Sequence, residues 1–487
     1  MKRISRLTFT FGAIICLCLP GAAQVSNSLY FMPGVPQSNR INPSYQPNAG
    51  FYLGLPMLAP LRTEVSSSSL AYGDVIYPHP SADSLITFLH PLGSKQTFLD
   101  LLDPVNFVAT DLGLSLASIG FRTKVGFFTL DVTNRVDGNI YYPGDLFRLL
   151  INGAVDGETY TLDGIGMDLA MFNEASLGWS IEIIEGLQVG ARGKVLFGMG
   201  SLSTNSSELT VTTSQENWNI QSDMVFNASL PFAEVQYDAD GMIEDFVIDS
   251  ELENLEPSNI ARTLPRYIFN TRNLGLGLDV GASYRPIDPL QISLSVLDIG
   301  FINWTDGVQE VSYTNEFDFN GLELNPIDLI GDDASFDLDS TLSELGDSLT
   351  NFLQFTSGGS YAKRLNTKIY AGVSYFVTPN ISFGLLSRTD LLNEKIAQQF
   401  TASANLTTGR FINFTASYTY ANSYVKNLGA GLSFNAGPFN MYLISDNVLN
   451  TIFWPQEVRS VNLWVGMNLV FGYSQARKKD GDRPLIY

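Results

Sequence analysis

The chain has 487 residues, enough for one large barrel or two to three ordinary domains. It is 45% hydrophobic and only 16% charged, below the roughly 25% charged residues of soluble domains and opposite in balance to a disordered chain. Lys and Arg number 28 against 49 Asp and Glu, a formal charge of −21, so no basic surface exists for nucleic acid. Two His and two Cys leave little material for a metal or redox centre, and no metal or cofactor is expected.

At the N-terminus Lys2, Arg3 and Arg6 precede an apolar run from Leu7 to Pro20 and the small residues Gly21-Ala22-Ala23. This is the pattern of a secretory signal over residues 1–23, and it takes Cys16 and Cys18 with it, leaving a mature chain without thiols. Residues 24–50 follow, rich in Asn, Pro and Gln. In Val35-Pro36-Gln37-Ser38-Asn39-Arg40-Ile41-Asn42-Pro43 the prolines fix φ and remove donors, which disfavours strand and helix alike. The segment is expected to lie across the periplasmic mouth of a barrel or to fold into its lumen as a plug, with Asn39, Arg40, Asn42 and Pro43 as the candidate plug residues.

Beyond the signal no run of ~20 apolar residues offers a transmembrane helix. The pattern instead has period two. In 187–197, Leu187, Val189, Ala191, Val195 and Phe197 oppose Gln188, Gly190, Arg192 and Lys194; in 274–284 and 411–420 apolar residues oppose Gly, Ser, Thr and Asn; in 460–472, Val461, Leu463, Val465, Met467, Leu469 and Phe471 oppose Asn462, Trp464, Gly466, Asn468 and Val470. A β-sandwich also alternates, but its solvated face would carry Lys and Glu. Short turns alternate with long links, as in outer-membrane barrels. The hairpins 111–120 with 123–132, 174–183 with 187–198, 274–284 with 290–297, 367–376 with 381–388, 397–406 with 411–420, and 427–434 with 439–445 make twelve strands. Strands 51–57 and 460–472 close the ring. The chain is expected to be all-β, a transmembrane antiparallel barrel of about 14 strands (12–16) over 51–472, with long loops at 58–110, 199–265 and 298–366 and a periplasmic tail at 473–487.

Short helices are expected in the links, over Asp83 to Leu102, over Pro143 to Ile151, and along Leu338, Leu342, Leu345, Leu349 and Leu353. Two acidic blocks lie at Glu234 to Glu256 and Asp332 to Asp347. Calcium is weighed and set aside because the spacing departs from an EF-hand; Asp240-Gly241 reads as a turn between Ala233–Tyr237 and Met242–Ile248. The only histidines, His79 and His90, flank prolines, and no Gly-x-Ser-x-Gly elbow occurs, so no enzyme activity and no catalytic residue are expected. Arg192, Lys194, Asp279, Lys368, Asn462 and Asn468 are the candidate lumen-facing residues, the charged ones expected to pair and hold the barrel shut.

Tyr30-Phe31-Met32, Val35-Pro36-Gln37-Ser38-Asn39, Asn42-Pro43-Ser44-Tyr45-Gln46-Pro47, Leu297-Asp298-Ile299-Gly300-Phe301-Ile302-Asn303-Trp304 and Ser445-Asp446-Asn447 resemble an uncharacterised family of Bacteroidota-type outer-membrane proteins. More distantly, a plugged 14-stranded barrel is similar to long-chain fatty-acid transporter barrels and to barrels associated with type IX secretion. The first resemblance implies a cell-outer-membrane barrel, in contact with lipid, that binds or passes small hydrophobic molecules and has an apolar-lined pocket between plug and wall. The second implies a non-transporting accessory or scaffold barrel serving protein secretion or surface adhesion through acidic loops, with a secreted protein as partner and a filled lumen.

Overall fold

A computed structural model describes residues 27–54, 61–79, 81, 83–215, 217–237, 243–248, 258–319, 354–392, 396–408, 411–421, 425–448 and 458–472. The expected signal, the leucine helix at 338–353, the second acidic block and the tail lie outside these residues. Fourteen antiparallel strands form a closed barrel. In chain order they are Phe51–Gly54 continued by Leu61–Ser67, then Val105–Thr123, Gly126–Pro143, Gly166–Ile184, Leu187–Thr213, Leu274–Ile287, Leu290–Trp304, Tyr361–Arg364 continued by Thr367–Thr378, Ile381–Leu391, Ile396–Thr408, Ile412–Ala421, Val425–Ala436, Phe439–Ser445 and Ser460–Phe471. The first strand closes the ring by pairing with the second and the fourteenth: Leu53 is opposite both Ile119 and Leu469. Every expected hairpin is present. No helix is long and apolar enough to cross a membrane among the described residues, and a closed barrel needs none, because its backbone groups are satisfied between strands.

The alternation has a physical consequence. Outward residues such as Leu276, Leu294, Phe383, Leu385, Phe400 and Leu443 are more than half exposed, while the intervening Ser, Thr and Asn point inward and are buried. Such a face is stable only against lipid. At the end that carries the short turns, Phe51 pairs with Phe471 and Phe121 stacks on Phe128, ring centroids 6.2 and 5.7 Å apart, as aromatic girdles do at a bilayer interface.

Several boundaries differ from those expected from the sequence. The region 58–110 is not one loop, because the first strand runs to Ser67 and the second begins at Val105. The region 199–265 is mostly sheet: the fifth strand continues to Thr213 and pairs with Trp218–Ser229, which pairs in turn with Val308–Phe319. The seventh strand likewise runs past 298 to Trp304. Polar-rich stretches such as Leu202 to Thr213 show no clean alternation, and backbone pairing with neighbours on both sides rather than burial of one face sets them. The helix over 83–102 reduces to a strand at Leu85–Thr87 and a helix at Lys95–Leu99, capped by Ser94 Oγ accepting from Thr97 N at 3.2 Å. The helix at Gly144–Asn152 lies where its periodicity placed it. Ala233–Tyr237 pairs with Ile243–Ile248, and the expected Asp240-Gly241 turn lies outside the described residues.

Candidate functional site

Two layers fill the barrel interior. The lower, toward the short turns, is the N-terminal segment. Its two short 3-10 turns, Asn27–Leu29 and Pro36–Arg40, are buried. Without strand partners of its own, its backbone and side chains bond to the wall. Asp446 accepts from the backbone N–H groups of Asn27 (2.6 Å) and Ser28 (3.0 Å). Gln37 and Asn468 exchange amide bonds at 2.6 and 3.0 Å. Asn440 Nδ2 donates to the Gly34 carbonyl at 2.9 Å, and Ser295 Oγ donates to the Ile41 carbonyl at 2.7 Å. Asn39 Oδ1 accepts from Arg192 at 3.2 Å, Asn42 Nδ2 donates to Ser283 at 3.2 Å, and Arg40 donates to Asp131 at 2.7 Å and Ser115 at 2.9 Å. Pro43 lies against Gly190, where even one added Cβ would stand 1.9 Å from the Pro43 carbonyl oxygen.

Apolar packing accompanies these bonds. Leu29, Met32, Val35 and Ile41 of the segment bury against Leu297, Tyr370, Leu386, Tyr442, Ile444 and Trp464 of the wall. Tyr30 stacks on Tyr370 at 5.6 Å. The closed, apolar-lined pocket expected between plug and wall is not found among the described residues: the segment's own side chains occupy that place, and the space beside Tyr30 and Phe31 is lined mostly by Ser, Asn, Thr and Gln.

The upper layer is a network of charges on inward strand positions. Asp298 is its hub. Among the described residues it alone is a non-glycine with positive φ (60°), a region that Asp tolerates better than most. The register of strands six and seven shifts beside it, between Leu278 and Val280, and its backbone N–H donates to Asp279 at 2.8 Å. Its carboxylate accepts from both terminal nitrogens of Arg135, at 2.8 and 3.1 Å, and from Lys194 at 2.6 Å. Lys194 also meets Asp279 at 2.8 Å and Glu174 at 3.6 Å. Lys368 meets Asp111 at 2.7 Å, and Asp111 also pairs with Arg62. Arg192 stands 3.7 Å from Asp131 and 3.8 Å from Asp279. Ions taken out of water this way persist only when paired and hydrogen-bonded, and here each carboxylate serves more than one cation.

The candidate lumen residues Arg192, Lys194, Asp279, Lys368, Asn462 and Asn468 are all buried. The four charged ones share this network, whereas Asn468 meets Gln37 and Asn462 accepts from the Asp446 backbone N–H. Asn39, Arg40, Asn42 and Pro43 all touch the wall as described. Sequence reasoning missed Asp111, Asp131, Arg135, Glu174, Asp298 and Asp446. Asp131, Arg135 and Asp137 share one parity of a strand whose expected end, 132, cut it short at Arg135. Asp298 and Asp446 stood within motifs but carried no spacing signal.

The remaining spaces inside are small. One of about 50 Å³ lies within the charge network, one of about 70 Å³ lies above it by Asp111, Asp137, Lys368 and Arg388, and one of about 40 Å³ lies by Tyr30, Phe31 and Phe376. Each has room for no more than a few waters. Among the described residues no group of three or more His, Cys, Asp or Glu could hold a metal ion.

A family model described as a family of unknown function, DUF5723, matches residues 43–446. The chain belongs to that family. No curated protein matches it. Among solved structures, the family member is similar to the toluene transporter TbuX of Ralstonia pickettii (8% identity, 93% of this chain and 96% of that one, TM-score 0.39). It is also similar to a FadL homologue of Pseudomonas aeruginosa (10%, 93% and 99%, 0.40) and to the toluene transporter TodX of P. putida (9%, 93% and 94%, 0.35).

Proposed function

We propose that this protein is an outer-membrane barrel, closed at rest by residues 27–50, that binds small hydrophobic molecules on the inward apolar patch now covered by that segment and passes them when the segment moves aside. One observation carries this reading. Six wall residues, Leu297, Tyr370, Leu386, Tyr442, Ile444 and Trp464, form a buried apolar surface whose occupant is the chain's own Leu29, Met32, Val35 and Ile41. A lumen meant only to be filled has no need of an apolar wall patch matched to a segment that joins the barrel at one end. We read the protein as non-enzymatic.

The test is planar-bilayer conductance and binding of an apolar fluorescent dye, comparing wild type with a chain lacking residues 24–50. Wild type is expected to be silent and the deletion to conduct and to bind dye. Because the deletion removes core contacts, a second variant keeps them. Ser28 Oγ and Ser417 Oγ lie 2.5 Å apart, so Ser28→Cys with Ser417→Cys is expected to cross-link in a mature chain otherwise free of thiols. Oxidised protein should then lose any dye uptake that reduced protein shows. A folded deletion that neither conducts nor binds dye overturns the proposal.

A second reading has one observation in its favour. The fifth strand, Leu187–Thr213, has 27 residues, about 90 Å at ~3.3 Å per residue, where ~9–11 residues span a bilayer. With Trp218–Ser229 and Val308–Phe319 it carries the sheet beyond the barrel, a surface suited to a scaffold with a protein partner. This reading stands if the deletion is silent.

A further inference from the structure

At the end of the barrel that carries the short turns, the space of about 40 Å³ lies between the N-terminal segment and the wall. Phe31 and Asn42 border it from the segment, and Gln291, Ser374, Phe376, Asn380 and Thr407 from the wall. None of the described residues that line it is charged. Asn42 is already engaged with Tyr30, Ser44 and Ser283. Gln291 and Ser374 are not engaged. They stand opposite each other on the seventh and eighth strands and are only 8% and 5% exposed. Neither side chain has a hydrogen-bond partner among the described residues, yet the polar atoms of both keep access to the space. The side chains of Thr407 and of Asn380, in the exposed turn between the eighth and ninth strands, are likewise uncommitted. Two rings complete the lining. Phe31 is wedged against Gly372 and Gly384, where no Cβ could stand without meeting it. Phe376 carries the Arg285 guanidinium over its ring, 4.9 Å from the centroid.

Amides and hydroxyls inside a fold are normally paired, and a carboxamide has both donors and an acceptor to fill. The uncommitted groups here are neutral, offer donors and acceptors together, and sit beside two aromatic rings. A charged ligand finds no counter-charge in this lining. A purely apolar one would cover the Gln291 amide without pairing it, which is costly. We propose that this space is a periplasm-facing subsite for the acetamido group of a neutral N-acetylated sugar. The acetamido N–H and carbonyl pair with Gln291 and Ser374, the methyl lies against Phe31 and Phe376, and the sugar hydroxyls reach Asn380 and Thr407. An acetamido group takes up about the space of two or three waters, which is what the site allows. A peptide matches less well: extended peptides add to unpaired strand edges, and the wall strands here are paired on both sides. The ligand touches segment and wall at once and so holds the segment in place. The site does not depend on passage of hydrophobic molecules through the barrel.

The test uses full-length refolded protein in a neutral detergent without sugar head groups. N-acetylglucosamine is the probe and saturation-transfer NMR the readout. Saturable binding is expected, with the acetyl methyl receiving the largest share of the transferred saturation. Glucose, which has a hydroxyl in place of the acetamido group, and free acetamide should each bind about tenfold more weakly or not at all. Gln291→Met keeps the length of the side chain and loses its amide; it should weaken binding about tenfold, as loss of the partner of an enclosed amide does. Ser374→Ala should weaken it about threefold. Neither side chain has a hydrogen bond to lose within the described residues, so both variants should fold, and heat-modifiable mobility on gels confirms it. Tighter binding of an acetylated peptide amide than of the sugar would assign the space to a peptide and overturn the proposal. Absence of saturable binding, glucose or acetamide binding as well as N-acetylglucosamine, or folded variants that both bind like wild type would each overturn it too.

Discussion

Asp298→Asn is expected to destabilise the barrel by about 3–5 kcal/mol, the usual cost of removing one partner from a buried ion pair. The carboxylate takes three short bonds from Arg135 and Lys194 and lies 3.8 Å from Lys368. Neutralising it leaves those cations with less charge than they need in a site removed from bulk water. Asn is the informative replacement because it accepts the φ of 60° found at this position, so the backbone kink stays and only the charge goes. Urea unfolding in lipid vesicles measures the effect. Adding Lys194→Met removes one of the stranded cations and should recover part of the loss. A cost below about 1 kcal/mol for the single change would place Asp298 outside the set of groups that hold the wall together.

Gly190→Ala is expected to unseat the N-terminal segment while sparing the wall. Its new Cβ would stand 1.9 Å from the Pro43 carbonyl oxygen and 2.8 Å from the Ser44 nitrogen. Both are backbone atoms, so no rotamer change relieves the clash. Overpacking of this kind costs about 1–3 kcal/mol, enough to displace the segment locally at Pro43 and Ser44 and to weaken its hold on the wall. Gly193 lies three residues along the same strand with nothing within 4 Å of a built Cβ, and Gly193→Ala is the matched control. Hydrogen exchange read by mass spectrometry should show faster exchange over residues 27–50 in the first variant and wild-type exchange in the second. Identical protection in both would mean that the segment is held elsewhere than at Pro43.

The two predictions draw on unequal shares of what the sequence displays. Gly190, Arg192 and Lys194 fall on the polar parity of 187–197, and that parity is visible in the sequence because lipid on one side and a lumen on the other impose a period of two. The same force made the hairpins and the strand count legible. Asp298 was not legible as a hub. Its role depends on Arg135, 163 positions away, and on a register shift that turns its side chain inward. Neither distance nor bulge leaves a local trace. The long fifth strand was missed for a related reason: beyond Phe197 it leaves the region where two solvents face its two sides, and the alternation fades.

The sequence by itself determined the barrel: an apolar–polar alternation repeated through the chain, short turns between paired strands, and an excess of outward aromatic and aliphatic side chains that only lipid accommodates. It also marked residues 24–50 as unfit for strand or helix. Only the tertiary structure decided that residues 27–50 lie inside the lumen and that Leu29, Met32, Val35 and Ile41 cover an apolar wall patch. It likewise decided that charges from separate strands meet in one network. The physical reason is range. Period and turn chemistry act between neighbours in the chain, whereas closing the ring places strands far apart in sequence face to face, and the pairing of buried charges follows from that closure.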